Sequence, residues 1–189
     1  NLSVTSSEPT RTGYTFLGWP SSSSATTPTY EAGDTISFTY NSSNSRTLYA
    51  VWKVNQYSVR IYAMTGVNDI TSPIGPIQSN STGRYKEVEV NYNTSFTATV
   101  TMNSGYKFNR WTTTNSSTAS AVSTNASYTF TVGARDYTLY AWGEGIEYTI
   151  TLNKQDGSGG TSTIYLKYNT GWYSNSGATT SISTVVLPT

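Results

Sequence analysis

The sequence predicts an all-β-dominated protein of small tandem modules, and three observations lead to this prediction. Two phrases occur twice along the chain: PTRTGYTFLGW at 9–19 is matched by NSGYKFNRW at 103–111, and RTLYAVW at 46–52 by YTLYAWG at 137–143. Most other segments alternate apolar and polar residues, as half-buried strands do. No segment of ten residues carries the apolar stripe of an amphipathic helix, so each module is expected to hold a short helical turn at most. An internal repeat of this kind indicates an array of similar units.

The predicted strands follow one another along the chain and are separated by turns. Segments with a period of two lie at 57–63, 85–92, 95–102, 127–132, 137–142, 147–154 and 162–168. The stretches at 20–28, 40–45 and 154–161 are rich in Ser, Asn and Gly, which is typical of turns. Pro73 and Pro76 oppose a central strand in the segment that contains them, because proline cannot donate to a ladder.

The composition excludes several classes of function. Net charge is +1, from 11 basic and 10 acidic residues, so no strong field attracts nucleic acid or an anionic membrane. The chain has no cysteine and no histidine, which excludes disulfides, thiolate metal sites and imidazole chemistry. No run of eighteen apolar residues occurs, so no membrane insertion is expected. We therefore expect no enzyme, no cofactor, no metal and no nucleic-acid partner.

The repeated phrases predict three segments. Residues 1–54 correspond to the back half of one module, residues 55–145 to a complete module, and residues 146–189 to the front half of a third. The final VVLPT at 185–189 ends with the first two residues of the phrase that begins at Pro9. The chain therefore reads as a repeat that is split between its two ends.

These residues resemble a known family of repeats. Segment 9–53 resembles the Listeria–Bacteroides repeat, the InlB B-repeat type of module, through Pro-Thr-Arg-x-Gly-Tyr-x-Phe-x-Gly-Trp and Thr-Leu-Tyr-Ala-x-Trp. Segment 147–189 is similar to the front half of the same repeat. Segment 56–143 resembles its divergent variant, through Gly-Tyr-Lys-Phe at 105–108 and Leu-Tyr-Ala at 139–141.

The resemblance implies both a fold and a role. Members of the family are tandem β-grasp-like modules in bacterial secreted and cell-wall-attached proteins. The implied location is extracellular, on the cell surface or secreted, and the implied role is that of a non-enzymatic structural or adhesion module. The implied partners are copies of the chain or neighbouring repeats of a longer chain.

The aromatic residues of the repeated phrases are predicted to form the structural core. Modules of about 50 residues bury little surface, so each needs large apolar anchors. The predicted core residues are Tyr14, Phe16, Trp19, Trp52, Tyr106, Phe108, Trp111 and Trp142.

A second aromatic group, in YLKYNTGWY, is a candidate contact surface. It comprises Tyr165, Tyr168, Trp172 and Tyr173. Two interpretations remain open: a packing patch that receives a partner strand, which the incomplete module favours, and a platform that stacks a host or cell-wall glycan. The second makes a carbohydrate-binding module the alternative function.

Three weaker candidates have simpler structural explanations. Glu87 and Glu89 share one strand face and could act as an acid–base pair, but a solvated, charged strand edge is favoured. The turn that begins at Asp156 offers oxygen ligands for calcium but a single carboxylate, so a glycine-rich turn is favoured. Lys154 or Lys167 could form an isopeptide bond with an asparagine, although the sequence indicates no pair.

The split repeat leads to a hypothesis about assembly. An unclosed sheet exposes unpaired backbone groups. The tail could close on its own head, or it could complete the head of the next copy by strand addition, which builds a head-to-tail fibre. We favour the second, while an arbitrary cut of a longer chain gives the same pattern.

Overall fold

The computed structural model describes residues 2–4, 6–37, 46–155 and 157–185. In these residues the chain forms strands and no helix, so the prediction of an all-β fold is confirmed. The strands are β1 Leu2–Ser3, β2 Tyr14–Gly18, β3 Thr35–Ile36, β4 Val51–Val54, β5 Gln56–Ala63, β6 Val67–Ser72, β7 Gln78–Asn80, β8 Gly83–Asn91, β9 Ser95–Met102, β10 Tyr106–Thr112, β11 Ser127–Thr131, β12 Tyr137–Gly145, β13 Glu147–Thr151, β14 Thr163–Lys167 and β15 Gly171–Tyr173. The finer expectation of a β-grasp-like topology stays a prediction. Within the same ranges, no helix is long and apolar enough to cross a membrane.

In the part of the chain that the structure describes, the strands form five sheets. The largest has the order β10-β12-β5-β8-β7. Two three-stranded sheets have the orders β11-β9-β6 and β13-β14-β15, and two further pairs are β1-β3 and β2-β4. Pro73 and Pro76 lie between β6 and β7, and β7 is an outer strand of its sheet. Prolines at this place interrupt no ladder.

The core follows the alternation that predicted the strands. In β5, Val59 and Ile61 are fully buried at alternate positions. In β12, Leu139 and Ala141 are buried in the same way. Since successive side chains of a strand point to opposite faces, the buried residues named here share one face in each of these two strands.

The chain forms two compact units, and each draws on several segments. Unit 1 comprises Asn1–Val59, Glu89–Phe96 and Phe130–Tyr137. Unit 2 comprises Arg60–Val88, Thr97–Thr129 and Thr138–Thr189. The predicted module boundaries near 54 and 145 remain a prediction based on the repeats.

Candidate functional site

In unit 1, a bulge brings the Phe and the Trp of the repeated phrase together. β2 and β4 pair with Phe16 opposite Trp52, and Leu17 is an extra residue in the ladder. An extra residue shifts the alternation by one, so Phe16 and Trp19 reach the same side. The Phe16 ring lies 5.1 Å from the Trp19 ring and 5.4 Å from the Trp52 ring, both edge to face. Such pairs are more stable than their burial alone predicts. These three rings and Tyr14 are half-buried.

Unit 2 repeats this construction. In the ladder of β10 and β12, Asn109 is the extra residue, and the Phe108 and Trp111 rings lie 5.5 Å apart. Trp111 is 0% exposed, and its indole Nε1 donates a hydrogen bond of 2.8 Å to the carbonyl oxygen of Asn125. The Nε1 of Trp19 is also buried, but no described residue accepts its hydrogen. The same phrase therefore gives one satisfied and one unsatisfied indole.

The remaining predicted core residues of unit 2 lie on the same ladder. Trp142 is half-buried, and its Nε1 donates to the hydroxyl oxygen of Thr112 at 3.0 Å. Thr112 is fully buried. Tyr106 is half-buried and packs against Gly66, in the turn between β5 and β6. The structure thus buries Trp111 completely and half-buries the other seven predicted core residues.

The second aromatic group does not share one face. Tyr165 and Tyr173 are opposite each other in the ladder of β14 and β15, and Tyr173 is buried. Trp172 points to the other face and is 44% exposed. Tyr168 lies in the turn after β14, where its ring covers Gly105. The four residues therefore cannot act as a single stacking platform.

Trp172 instead belongs to a row that the sequence did not single out. Tyr148, Leu166 and Trp172 are directly opposite one another across β13, β14 and β15. Residues opposite in a ladder lie on the same face. We call these three residues the aromatic row. Tyr148 is 45% exposed, so both ends of the row reach solvent. The alternation in EYTITL predicted the strand that carries Tyr148, but the sequence did not show which strand would pair with it.

The two carboxylates proposed as an acid–base pair have different surroundings. Both oxygens of Glu87 accept hydrogen bonds from Arg60, at 3.0 and 2.9 Å. The hydrogen bond to Glu87 raises the pKa of Arg60 above its usual value, although desolvation opposes the shift. Glu89 is exposed. Glu87 is therefore engaged by a guanidinium, which favours the structural explanation.

A buried lysine was also missed by the sequence reasoning. Lys86 is 9% exposed, its Nζ donates to the carbonyl oxygen of Ile70 at 2.6 Å, and Asp69 lies 3.4 Å away. A buried ammonium group needs such partners. The polar position in YKEVEV gave no sign that this side chain turns inward.

One tyrosine of unit 1 has a shifted acidity. Burial raises the pKa of Tyr137, but its hydrogen bonds with Arg135 and with the backbone of Gly133 outweigh burial and lower the pKa below the usual value. The Gly133 N–H donates to the Tyr137 hydroxyl at 2.9 Å. This arrangement fixes the 133–137 turn.

The remaining candidates are Asp156, Lys154 and Lys167. Asp156 lies outside the described residues. In the part of the chain that is described, no three His, Cys, Asp or Glu side chains are grouped to hold a metal ion. Lys154 follows β13, and Lys167 ends β14 opposite Glu147.

Unit 1 also contains a cleft of about 610 Å³. Its apolar wall is formed by Leu2, Ile36 and Leu48. Tyr30 and Arg46 contribute to the rest of the lining.

Two family models match the chain. Residues 1–51 match the Listeria-Bacteroides repeat domain, and residues 77–142 match the divergent InlB B-repeat domain. The resemblance drawn from the repeated phrases is therefore confirmed for these two segments.

The chain is also similar to a protein of Evansella cellulosilytica whose name describes it, provisionally, as a Gly-rich membrane protein. The two are 32% identical over 152 residues. The aligned part is 78% of this chain and only 16% of the relative, so the chain spans a small fraction of that protein. No solved structure matches the chain.

Proposed function

We propose that this chain, which carries a Listeria-Bacteroides repeat and a divergent InlB B-repeat, is a non-enzymatic structural segment of a bacterial surface protein. In this role, tandem β-modules act as an extracellular spacer that holds other parts of the protein away from the cell. The name of the Evansella relative, which places that protein at a membrane, supports a cell-surface location.

The observation that carries the proposal is the use of the repeated aromatic residues for packing. Trp111 is fully buried, and Phe16 is in contact with both Trp19 and Trp52. A binding module would instead present such rings to solvent. The engagement of Glu87 by Arg60 favours the same conclusion, because the most suggestive carboxylate has an ion-pair partner.

Replacement of the segment tests the spacer role. In cells that display the full-length protein, the segment is exchanged for an unrelated β-module array of similar length or for a short flexible linker. Antibody access to a tag placed beyond the segment should be retained with the array and reduced with the linker. If cells that carry the unrelated array no longer attach to their natural surface, the segment itself is adhesive and the spacer role is wrong.

The aromatic row supports glycan binding as a second candidate function. Tyr148 and Trp172 are both close to half exposed, and aromatic faces can stack on sugar rings. Calorimetric titration with cell-wall and host oligosaccharides should then detect binding that Trp172→Ala abolishes. Tyr49→Ala, which alters an exposed tyrosine of unit 1, is the matched control. Equal heats for all three proteins would exclude this function.

The hypothesis of strand complementation can be tested separately. The cleft of unit 1 has an apolar wall that could receive an apolar strand, and residues 186–189 of the tail lie outside the described residues. Light scattering over a wide concentration range should show growing polymers, and deletion of residues 147–189 should abolish them. A monomer at every concentration would make assembly in trans wrong.

A further inference from the structure

A tyrosine covers the glycine of the repeated phrase in unit 1. Gly13 has φ of +76°, and a Cβ atom added to it would overlap the ring of Tyr92. The N–H of Asn55 donates to the carbonyl oxygen of Gly13 at 2.9 Å, and the N–H of Tyr92 donates to the carbonyl oxygen of Asn55 at 2.8 Å. The Tyr14 and Tyr92 rings meet edge to face, 5.9 Å apart.

Unit 2 contains the same set of contacts. Gly105 has φ of +82°, and an added Cβ atom would lie 2.6 Å from the ring of Tyr168. The N–H of Ile146 donates to the carbonyl oxygen of Gly105 at 2.8 Å, and the N–H of Tyr168 donates to the carbonyl oxygen of Ile146 at 3.0 Å. The Tyr106 and Tyr168 rings are 5.3 Å apart and again edge to face. Here Asn169 also donates to the Tyr106 hydroxyl, at 3.0 Å.

The covering tyrosines come from identical turns. Both turns have the sequence Tyr-Asn-Thr, at 92–94 and 168–170. Asn93 and Asn169 have φ of 59° and 54°, a conformation that asparagine tolerates better than most residues. In both turns the Thr N–H bonds to the carbonyl oxygen three residues earlier, at 3.2 and 3.0 Å.

We propose that these contacts form a joint between consecutive repeats, a proposal that rests on the structural role given above. The Gly-Tyr pair of one repeat is a docking site for the Tyr-Asn-Thr turn of the next. Gly13 and Gly105 precede the predicted module boundaries, and Tyr92 and Tyr168 follow them. Asn55 and Ile146 lie at those boundaries.

The joint explains why the phrase needs glycine. The position combines a positive φ with a tyrosine ring where a side chain would be, and glycine alone meets both conditions. The boundary residue has its N–H bound to the preceding repeat and its C=O bound to the following one. Such a one-residue connection has little freedom, in contrast to a flexible linker. The array is stiffened at each boundary.

Amide hydrogen exchange on the full chain tests the joint. In Tyr168→Ala, exchange at the Ile146 amide should accelerate at least about tenfold, because its acceptor is held in place by the docked turn. The Trp111 amide, which donates to the carbonyl oxygen of Ser123, should be unchanged and so reports that unit 2 is still folded. Tyr148→Ala is the matched control, since Tyr148 on β13 and Tyr168 in the turn after β14 are 45% and 42% exposed. Tyr92→Ala should accelerate exchange at the Asn55 amide in the same way.

A distance measurement tests the stiffness. The chain has no cysteine, so a double variant with Ser117→Cys and Ser176→Cys takes spin labels at these two positions alone. The distance distribution should be narrow in the otherwise unchanged chain and in Tyr148→Ala, and at least about twice as broad in Tyr168→Ala. Unchanged exchange at Ile146 together with an unchanged distribution would overturn the proposal.

These results are independent of the replacement experiment in cells. A spacer with flexible boundaries would pass the replacement experiment and fail both measurements. An adhesive segment with rigid joints would show the opposite.

Discussion

Substitution of Trp111 by alanine is the most direct test of the predicted core. Trp111 is 0% exposed, its indole contacts Phe108, and its Nε1 binds the carbonyl oxygen of Asn125. Loss of a buried Trp side chain costs about 3–5 kcal/mol, through lost burial and the cavity that remains. Because Asn125 is exposed, water can satisfy its carbonyl group, so we add no further penalty.

The expected change is large compared with the whole stability of a small domain. Since 1 kcal/mol corresponds to about 2–4 °C for a chain of 150–250 residues, Tm should fall by roughly 6–20 °C. Near-UV circular dichroism during heating and urea titration measures the change, and the urea midpoint should fall at an unchanged slope. Trp172→Ala, at a position 44% exposed, is the control and should change Tm far less. Equal shifts in the two variants would refute the assignment of Trp111 to the core.

Three further outcomes are expected. Trp111→Phe should cost about 1 kcal/mol more than Trp19→Phe in urea titration, because only Trp111 loses an indole hydrogen bond; equal costs would contradict this. Glu87→Gln should destabilise the chain by less than about 1 kcal/mol, and by less still at high salt, since its ion pair with Arg60 is partly exposed; a salt-independent loss would count against it. Calcium chelation should leave Tm within about 2 °C, and a larger fall would indicate a site at the turn of Asp156.

The strands were readable from the sequence because their signal is local. The alternating segments at 57–63 and 95–102 became β5 at Gln56–Ala63 and β9 at Ser95–Met102. Alternation records which face of a strand is buried, and this information needs no knowledge of the partner strand. The same applies to Trp111, whose place in a repeated phrase indicated an anchor.

Strand pairing could not be predicted from the sequence, so the four aromatic residues of YLKYNTGWY were grouped without knowledge of their faces. Tyr165 and Trp172 were grouped because they are close in sequence, but they lie on opposite faces of the sheet. Tyr148 and Trp172 lie on the same face because β14 pairs with both β13 and β15, and no local pattern predicts this pairing. Lys86 shows a different limit: its inward position depends on acceptors from Asp69 and Ile70, which lie on β6.

The spacing of the repeated phrase acquires a physical meaning once the bulge and the joint are considered together. Phe and Trp three residues apart would point to opposite faces of a regular strand, and the extra residue at Leu17 or Asn109 brings them to one side. The Trp end of the phrase therefore serves the interior of its own repeat. The Gly-Tyr end has a bound carbonyl and a covered Cα, and both are used by the next repeat. A substitution at Phe or Trp should thus destabilise one repeat, whereas a substitution at Gly13 or Gly105 should uncouple two repeats. The Phe and Trp of the phrase are therefore needed for packing within a repeat, and its Gly and Tyr for the contact between repeats.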